Sequence, residues 1–447
     1  MASFLTPFMG SSVNIALPVI GHEFGLDAVS LSWVATIYIL AAAVFLLPFG
    51  RLADIKGRRR IFITGLSLYI LVSVAIGFTP DGVVLIALRG AQGVAAAMLF
   101  GTGIAILTSV YPPAERGRVL GLNAAAVYIG LSLGPTIGGL LTSSIGWRSI
   151  FFITAGIAAV ALYFIVTRLK MEWQEASREQ FDLKGAVIYG LALTGLMLGF
   201  SELPAAGGFI LTGLGVAGMA GFLALEARTP HPILSLALFR YNQVFALSNA
   251  ATLINYAATF ATGFLLSLYL QFVKGFSPVE AGLILVAQPV LMALISPFAG
   301  RLADRRDPRF LATVGMAVSA TGLAMLIFLT EQSPMAYIIT ALAVLGIGFG
   351  LFSSPNSAAI MGSVPRHHYG IASATLSTMR LVGQMLSLGI VMLLFSLIVG
   401  NVQISAEVHV EFLTSMRMAF ALFTGLCLVG VAASWPRQSR LPHIQSE

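Results

Sequence analysis

Two arginines stand inside long apolar stretches of this chain, each followed about one helical turn later by a glutamine: Arg89 with Gln92, and Arg380 with Gln384. A spacing of four puts Arg380 and Gln384 on one face of a helix. A guanidinium at that depth is costly unless it faces a cavity or a polar partner, and its planar fork matches carboxylate and phosphate groups. No Asp or Glu lies deep in any apolar stretch: Glu202, Glu226 and Glu280 stand at stretch ends, Asp54 and Asp304 between stretches, and none of the 6 His is central. Two interior cations without interior acids favour an anionic or amphiphilic ligand. The opposing reading is that both arginines bond backbone carbonyls, or loop acids reached by bending, and only brace the bundle.

Asn14, Tyr38, Asn255, Tyr256 and Gln288 are the other polar residues near the middle of apolar stretches. With the two Arg–Gln pairs they form the candidate substrate-binding or translocation set. Tyr38, Tyr128, Tyr256 and Phe264 add ring surface on which a flat lipophile can stack. The chain has no nucleophile–base pair, no metal-ligand spacing and no phosphate loop, so neither an enzyme nor a bound metal or cofactor is expected. The single Cys427 lies in a late apolar run and reads as a packing residue.

The elements that must hold these residues follow from composition. The chain is 57% hydrophobic and 10% charged, where a soluble domain carries about a quarter charged residues. Its mean hydropathy is +0.92. A bilayer crossing takes about 20 apolar residues, and the runs place spans near 2–20, 31–50, 60–78, 83–109, 117–142 and 148–168, then 185–202 and 207–225, then 245–272, 278–300, 309–329, 335–361, 370–399 and 413–434. The expected organisation is an N-terminal six-helix bundle over 1–168, a linker and two-helix insert over 169–240, and a C-terminal six-helix bundle over 241–447. The first run has no Lys or Arg before Arg51, which reads as a retained helix and not a signal peptide. The charged segment 170–182, with Trp173 among mixed charges, reads either as an amphipathic surface helix or as a solvated linker.

The net charge of +7 would point to nucleic acid in a soluble protein. Here it is a topology signal. With both termini cytoplasmic, all loop Lys and Arg fall on the inner side except Arg148, Lys274 and Arg417, as the positive-inside rule requires. No nucleic-acid partner is expected.

The loop Gly50-Arg51-Leu52-Ala53-Asp54-Ile55-Lys56-Gly57-Arg58-Arg59-Arg60 is echoed by Gly300-Arg301-Leu302-Ala303-Asp304 after the second span of the later six. A shared loop motif in two six-helix sets implies duplication and a pseudo-twofold axis along the membrane normal. Small Gly50 and Gly57 allow helix ends to approach, and Asp54 can accept from an arginine such as Arg118 or face a helix N-terminus. Further motifs are Gly134-Pro135-Thr136-Ile137-Gly138-Gly139 in the fifth span, Trp147-Arg148-Ser149-Ile150-Phe151-Phe152 opening the sixth, and Asn14-Ile15-Ala16-Leu17-Pro18 in the first.

On these motifs the chain resembles the major facilitator superfamily, and within it the fourteen-helix drug:proton antiporters, over essentially its whole length. The resemblance implies an all-α integral membrane fold of two six-helix bundles plus two extra central helices, rocking about a central site near the bilayer midplane. It makes Gly50, Asp54, Gly57, Arg58, Arg118 and Asp304 a conformational latch between the halves, and Gly134, Pro135, Gly138 and Gly139 the helix-packing motif of the superfamily's exporters. It implies a multi-pass protein of the cell membrane, such as a bacterial inner membrane, that exports small lipophilic or amphiphilic substrates with protons as the exchanged ion. Such antiporters usually carry an acid five residues before the first-helix Asn, where this chain has Met9. Either a carboxylate at a span end serves instead, or the protein is an uncoupled or differently coupled transporter of a lipid or anionic metabolite. A membrane sensor that keeps the fold without transport is the third reading.

Overall fold

The computed structural model describes residues 2–111, 116–173, 181–229, 232–234, 236–303, 305–364, 369–400, 402 and 408–434. Every regular element among them is helical. Fourteen helices are long and apolar enough to cross a bilayer: α1 (Ser3–Phe24), α2 (Ala28–Lys56), α3 (Arg58–Gly77), α4 (Gly82–Leu107), α5 (Ala125–Ser144), α6 (Arg148–Arg168), α7 (Leu183–Glu202), α8 (Ala206–Glu226), α9 (Gln243–Val273), α10 (Pro278–Ala303), α11 (Pro308–Ile327), α12 (Met335–Gly362), α13 (Ile371–Val399) and α14 (His409–Ala432). The spans read from the sequence are all present.

The position of the few acids now has a local cause. Asp27, Asp81 and Asp182 cap α2, α4 and α7 by accepting from the Ser30, Val84 and Gly185 amides at 2.6, 2.9 and 2.9 Å. Ser277 and Glu280 form a reciprocal capping box at the start of α10. The first amides of a helix have no partner within it, and a carboxylate there also meets the positive end of the helix dipole. These acids stand at helix starts for that reason.

The two halves repeat one packing scheme. In the first, α1 packs on α5, α2 on α4, and α3 on both α4 and α6; in the second, α9 packs on α13, α10 on α12, and α11 on both α12 and α14. The halves meet along two seams, α2 against α13 and α5 against α10, which the pseudo-twofold axis exchanges. The insert breaks this symmetry, because α7 lies against both α2 and α13. Tyr189 of α7 donates to the Ala43 carbonyl of α2 at 3.2 Å, and a Cβ on Gly389 of α13 would meet Met197 of α7 at 2.9 Å. The outer helix α8 turns Phe209, Ile210 and Leu214 outward. Of the insert, α8 is therefore the outer helix, while α7 lies at one seam between the halves.

Candidate functional site between the two halves

Backbone chemistry explains how the halves join toward the end that bears the α1–α2 turn at Gly25. Pro18 has no N–H, so the Asn14 carbonyl four residues earlier loses its helical donor. The Ser267 hydroxyl of α9 donates to it at 2.7 Å. One residue along, Gln271 Nε2 donates to the Ile15 carbonyl at 3.0 Å. The Asn14 amide also faces α9, its Nδ2 standing 4.0 Å from where a Cβ on Gly263 would be. The helix α9 breaks at 260–261, and the Ala261 N–H is taken by Ser387 Oγ of α13 at 3.0 Å, inside the protein.

The glycines of the fifth-span motif divide between two partners. Gly134 and Gly138 face Ser11 and Ser12 of α1, while Gly139 meets the Pro278 carbonyl of α10 and the Pro135 carbonyl meets Gly282. A side chain at any of these positions would push two backbones apart. Midway along the same seam the Tyr128 and Ser296 hydroxyls lie 3.1 Å apart, joining α5 to α10.

The two arginines, alike in sequence, sit in different surroundings. Arg89 is 1% exposed within the first half. Its Nε donates to the Val34 carbonyl at 3.1 Å and its Nη1 to Gln92 Oε1 at 2.5 Å, and its guanidinium lies 4.4 Å from the Tyr38 ring centre. Gln92 in turn donates to Ser73 Oγ at 2.8 Å. This is the bracing arrangement. Arg380 is only half-buried. It donates to Ser357 Oγ at 2.9 Å and lies 5.9 Å from the Tyr256 ring centre, and its buried Nε has no partner. Tyr256 packs edge-on against Phe349 at 5.2 Å, with Ser353 at its hydroxyl and Tyr128 of the other half within charge reach.

Of the nine candidate binding residues, Tyr256 and Arg380 thus stand together, with the half-buried Gln384 one helical turn beyond Arg380 and Tyr128 of the first half near Tyr256. Tyr38, Arg89 and Gln92 form a second, enclosed cluster. Asn14 belongs to the α1–α9 contact, and half-buried Gln288 lies on α10, where its carbonyl presses on Gly346 of α12. Asn255 is fully buried, with no partner on either amide atom. Phe264 is a core ring packed against Phe395, 1% exposed. Sequence reasoning missed Ser267, Gln271, Ser296 and Ser387. Only Ser267 had a signal, in the carbonyl that Pro18 leaves unpaired. A separate apolar cavity of about 300 Å³ lies between α2, α4 and α7, lined by Trp33, Ile37, Leu40, Ile86, Thr194 and Leu198.

At the opposite end, bearing the α2–α3 turn at Gly57, Arg58 reaches back one turn to Asp54 at 2.9 Å and across to Ser109 Oγ at 2.8 Å. The Asp54 partner described is thus Arg58; the Arg118 side chain and Asp304 lie outside the described residues. Glu172 accepts from the Arg59 amide at 2.8 Å, and Trp173 O from the Arg58 amide at 3.1 Å. Residues 171–173 are therefore non-helical chain that caps α3, and 174–180 lie outside the described residues. At the Gly25 end, Trp147 and Arg148 both bind the Glu23 carboxylate at 2.7 Å, tying α6 to α1.

The model of the Major Facilitator Superfamily matches residues 1–388 and again 249–445, covering both halves. The chain belongs to this superfamily. It is 33% identical to the multidrug resistance protein Stp of Mycobacterium tuberculosis, over 89% of this chain and 74% of that protein. It is 31% identical to the riboflavin transporter RibZ of Clostridioides difficile, over 84% of this chain and 82% of that one. In fold it is similar to a bacterial homologue of the human lysosomal transporter Spinster, solved inward-facing and unoccupied, with a TM-score of 0.69, 16% identity, and 97% and 94% of the two chains covered. Family and fold are those of membrane transporters, and the chain is a multi-pass membrane protein.

Proposed function

We propose that this major facilitator protein exports lipophilic or amphiphilic small molecules by alternating access, in exchange for protons. The observation that carries the reading is the group formed by Arg380, Tyr256 and Tyr128. A half-buried guanidinium with an unpartnered Nε stands 5.9 Å from the Tyr256 ring centre, and Tyr128 of the other half lies near Tyr256. A cation set against aromatic surface, with no carboxylate paired to it among the described residues, suits a flat, partly apolar molecule bearing an anionic or strongly polar edge. Rocking the halves about the two seams would expose this group to one side and then the other. The excess of Lys and Arg at the Gly57 end supports placing that end and both termini in the cytoplasm. The relatives that confer multidrug resistance favour export, and domain limits at 168–169 and 240–241 fit the packing.

A second reading, transport without proton exchange, is favoured by Met9. This residue is fully buried where related antiporters carry an acid. Efflux of a lipophilic anion and a lipophilic cation from proteoliposomes, with and without an imposed pH gradient, tests both. Gradient-driven efflux of the anion supports the first reading, gradient-independent efflux supports the second, and no flux of either overturns both.

A further inference from the structure

The two-helix insert carries a pair of carboxyl groups that the transport reading does not use. Asp182, the cap of α7, accepts from the Gly185 amide with Oδ1 at 2.9 Å. Glu226, the last residue of α8, is 3% exposed, and its Oε2 accepts from the Leu234 amide at 2.9 Å. The remaining oxygens, Asp182 Oδ2 and Glu226 Oε1, are both buried and neither has a donor. They close on the same face of Gly185, where an added Cβ would collide with each, and the two carboxyl groups lie within hydrogen-bond reach of one another.

Ionised carboxylates only accept hydrogen bonds, and two like charges this close do not both persist without a cation. Among the described residues the charged neighbours do not supply one. Lys184 on α7 and Arg228 after α8 are exposed. Of the charged groups described, only Asp182 acts on Glu226 at close range. One proton between the two oxygens turns the repulsion into a charge-assisted hydrogen bond.

We propose that Asp182 and Glu226 form a proton-binding site that fastens the linker after α8 to the start of α7. With the proton bound, the second Glu226 oxygen is held in place to anchor Leu234. When both groups ionise they repel, and the Leu234 anchor loosens. Because α7 bridges α2 and α13, the site makes the hold of the insert on that seam sensitive to pH at the Gly57 end. The proposal is independent of what drives transport.

Infrared difference spectra of the full chain in nanodiscs, wild type minus Glu226→Gln, test it directly. A carboxylic-acid carbonyl band at neutral pH that vanishes on alkalinisation, and is absent from both Glu226→Gln and Asp182→Asn, is the expected result. Maleimide labelling of Ile233→Cys in a Cys427→Ser background gives a second readout. Divided by the rate of a small free thiol at the same pH, which removes the thiol's own ionisation, the rate should rise several-fold with pH in that background and stay low and flat once Glu226→Gln or Asp182→Asn is added, since an amide keeps the hydrogen bond without ionising. Absence of the carbonyl band, or a normalised labelling rate that does not change with pH in the parent, overturns the proposal.

Discussion

Ser267 of α9 donates its hydroxyl proton to the Asn14 carbonyl of α1 at 2.7 Å, a carbonyl that Pro18 leaves without a helical donor. A defect in one half is thus repaired by a side chain of the other, and only while the Gly25 end is closed. Ser267→Ala should remove about 1–3 kcal/mol from that closed arrangement and leave the open one untouched. Spin-label distances between the Gly25 ends of α1 and α9 should lengthen. Pro18→Ala returns a helical donor to Asn14, so the double variant should be less than additive. Unchanged distances in Ser267→Ala would remove the bond from the closing mechanism.

The two arginines should separate by assay. Arg89→Ala strips the donor from the Val34 carbonyl and from Gln92 in a closed core, and leaves a void beside Tyr38. A loss of about 3 kcal/mol or more is expected, visible as a lower Tm in detergent. Arg380→Ala loses one hydrogen bond, to Ser357, worth about 1 kcal/mol. It should keep its Tm and lose flux of anionic substrates. Arg380→Lys keeps the charge without the fork and should recover flux only in part. Equal Tm losses in the two alanine variants would sink the distinction.

Gly57 holds a φ of 111°, and a Cβ there would stand 2.6 Å from the Glu172 carboxyl carbon. Gly57→Ala therefore meets both backbone strain, about 1–3 kcal/mol, and displacement of the carboxylate that caps α3. A lower Tm, with faster proteolysis near 171–173, is the expected outcome. Glu172→Gln keeps an acceptor at the cap and should be milder. If Gly57→Ala matches wild type in both assays, the turn does not depend on this glycine.

The span positions were legible because lipid solvation forces nearly every run that crosses to be apolar and helical. The repeat at Gly50 and Gly300 likewise announced two halves. The unequal fates of Arg89 and Arg380 were not legible, since depth in a span says nothing about which side of the helix meets its own bundle and which meets the partner. The role of α7 was hidden for the same reason: its apolar residues read alike whether they face lipid or the α2–α13 seam. Hydroxyls such as those of Ser296 and Ser387 were invisible because serine in a membrane helix can satisfy itself on the preceding turn, as Ser357 does on Ser353 O at 2.7 Å. Pro18 was the exception, because a missing N–H is a property of the sequence itself.

The α5–α10 seam yields the last prediction. Gly139 meets the Pro278 backbone, and Gly282 meets the Pro135 backbone, so each helix presents a glycine to the other's carbonyl. Neither obstacle is a flexible side-chain end that can swing aside. Gly139→Ala and Gly282→Ala should each cost about 1–3 kcal/mol, confined to arrangements in which this seam is closed. Transport should fall while each bundle keeps its own packing. Gly10→Ala on α1, where an added Cβ meets nothing within 4 Å, is the matched control and should transport normally. Substrate flux in proteoliposomes, alongside distances across the Gly25 ends of α5 and α10, reads both effects. Wild-type flux in both seam variants would show that close backbone contact at this seam is not needed for the transport cycle.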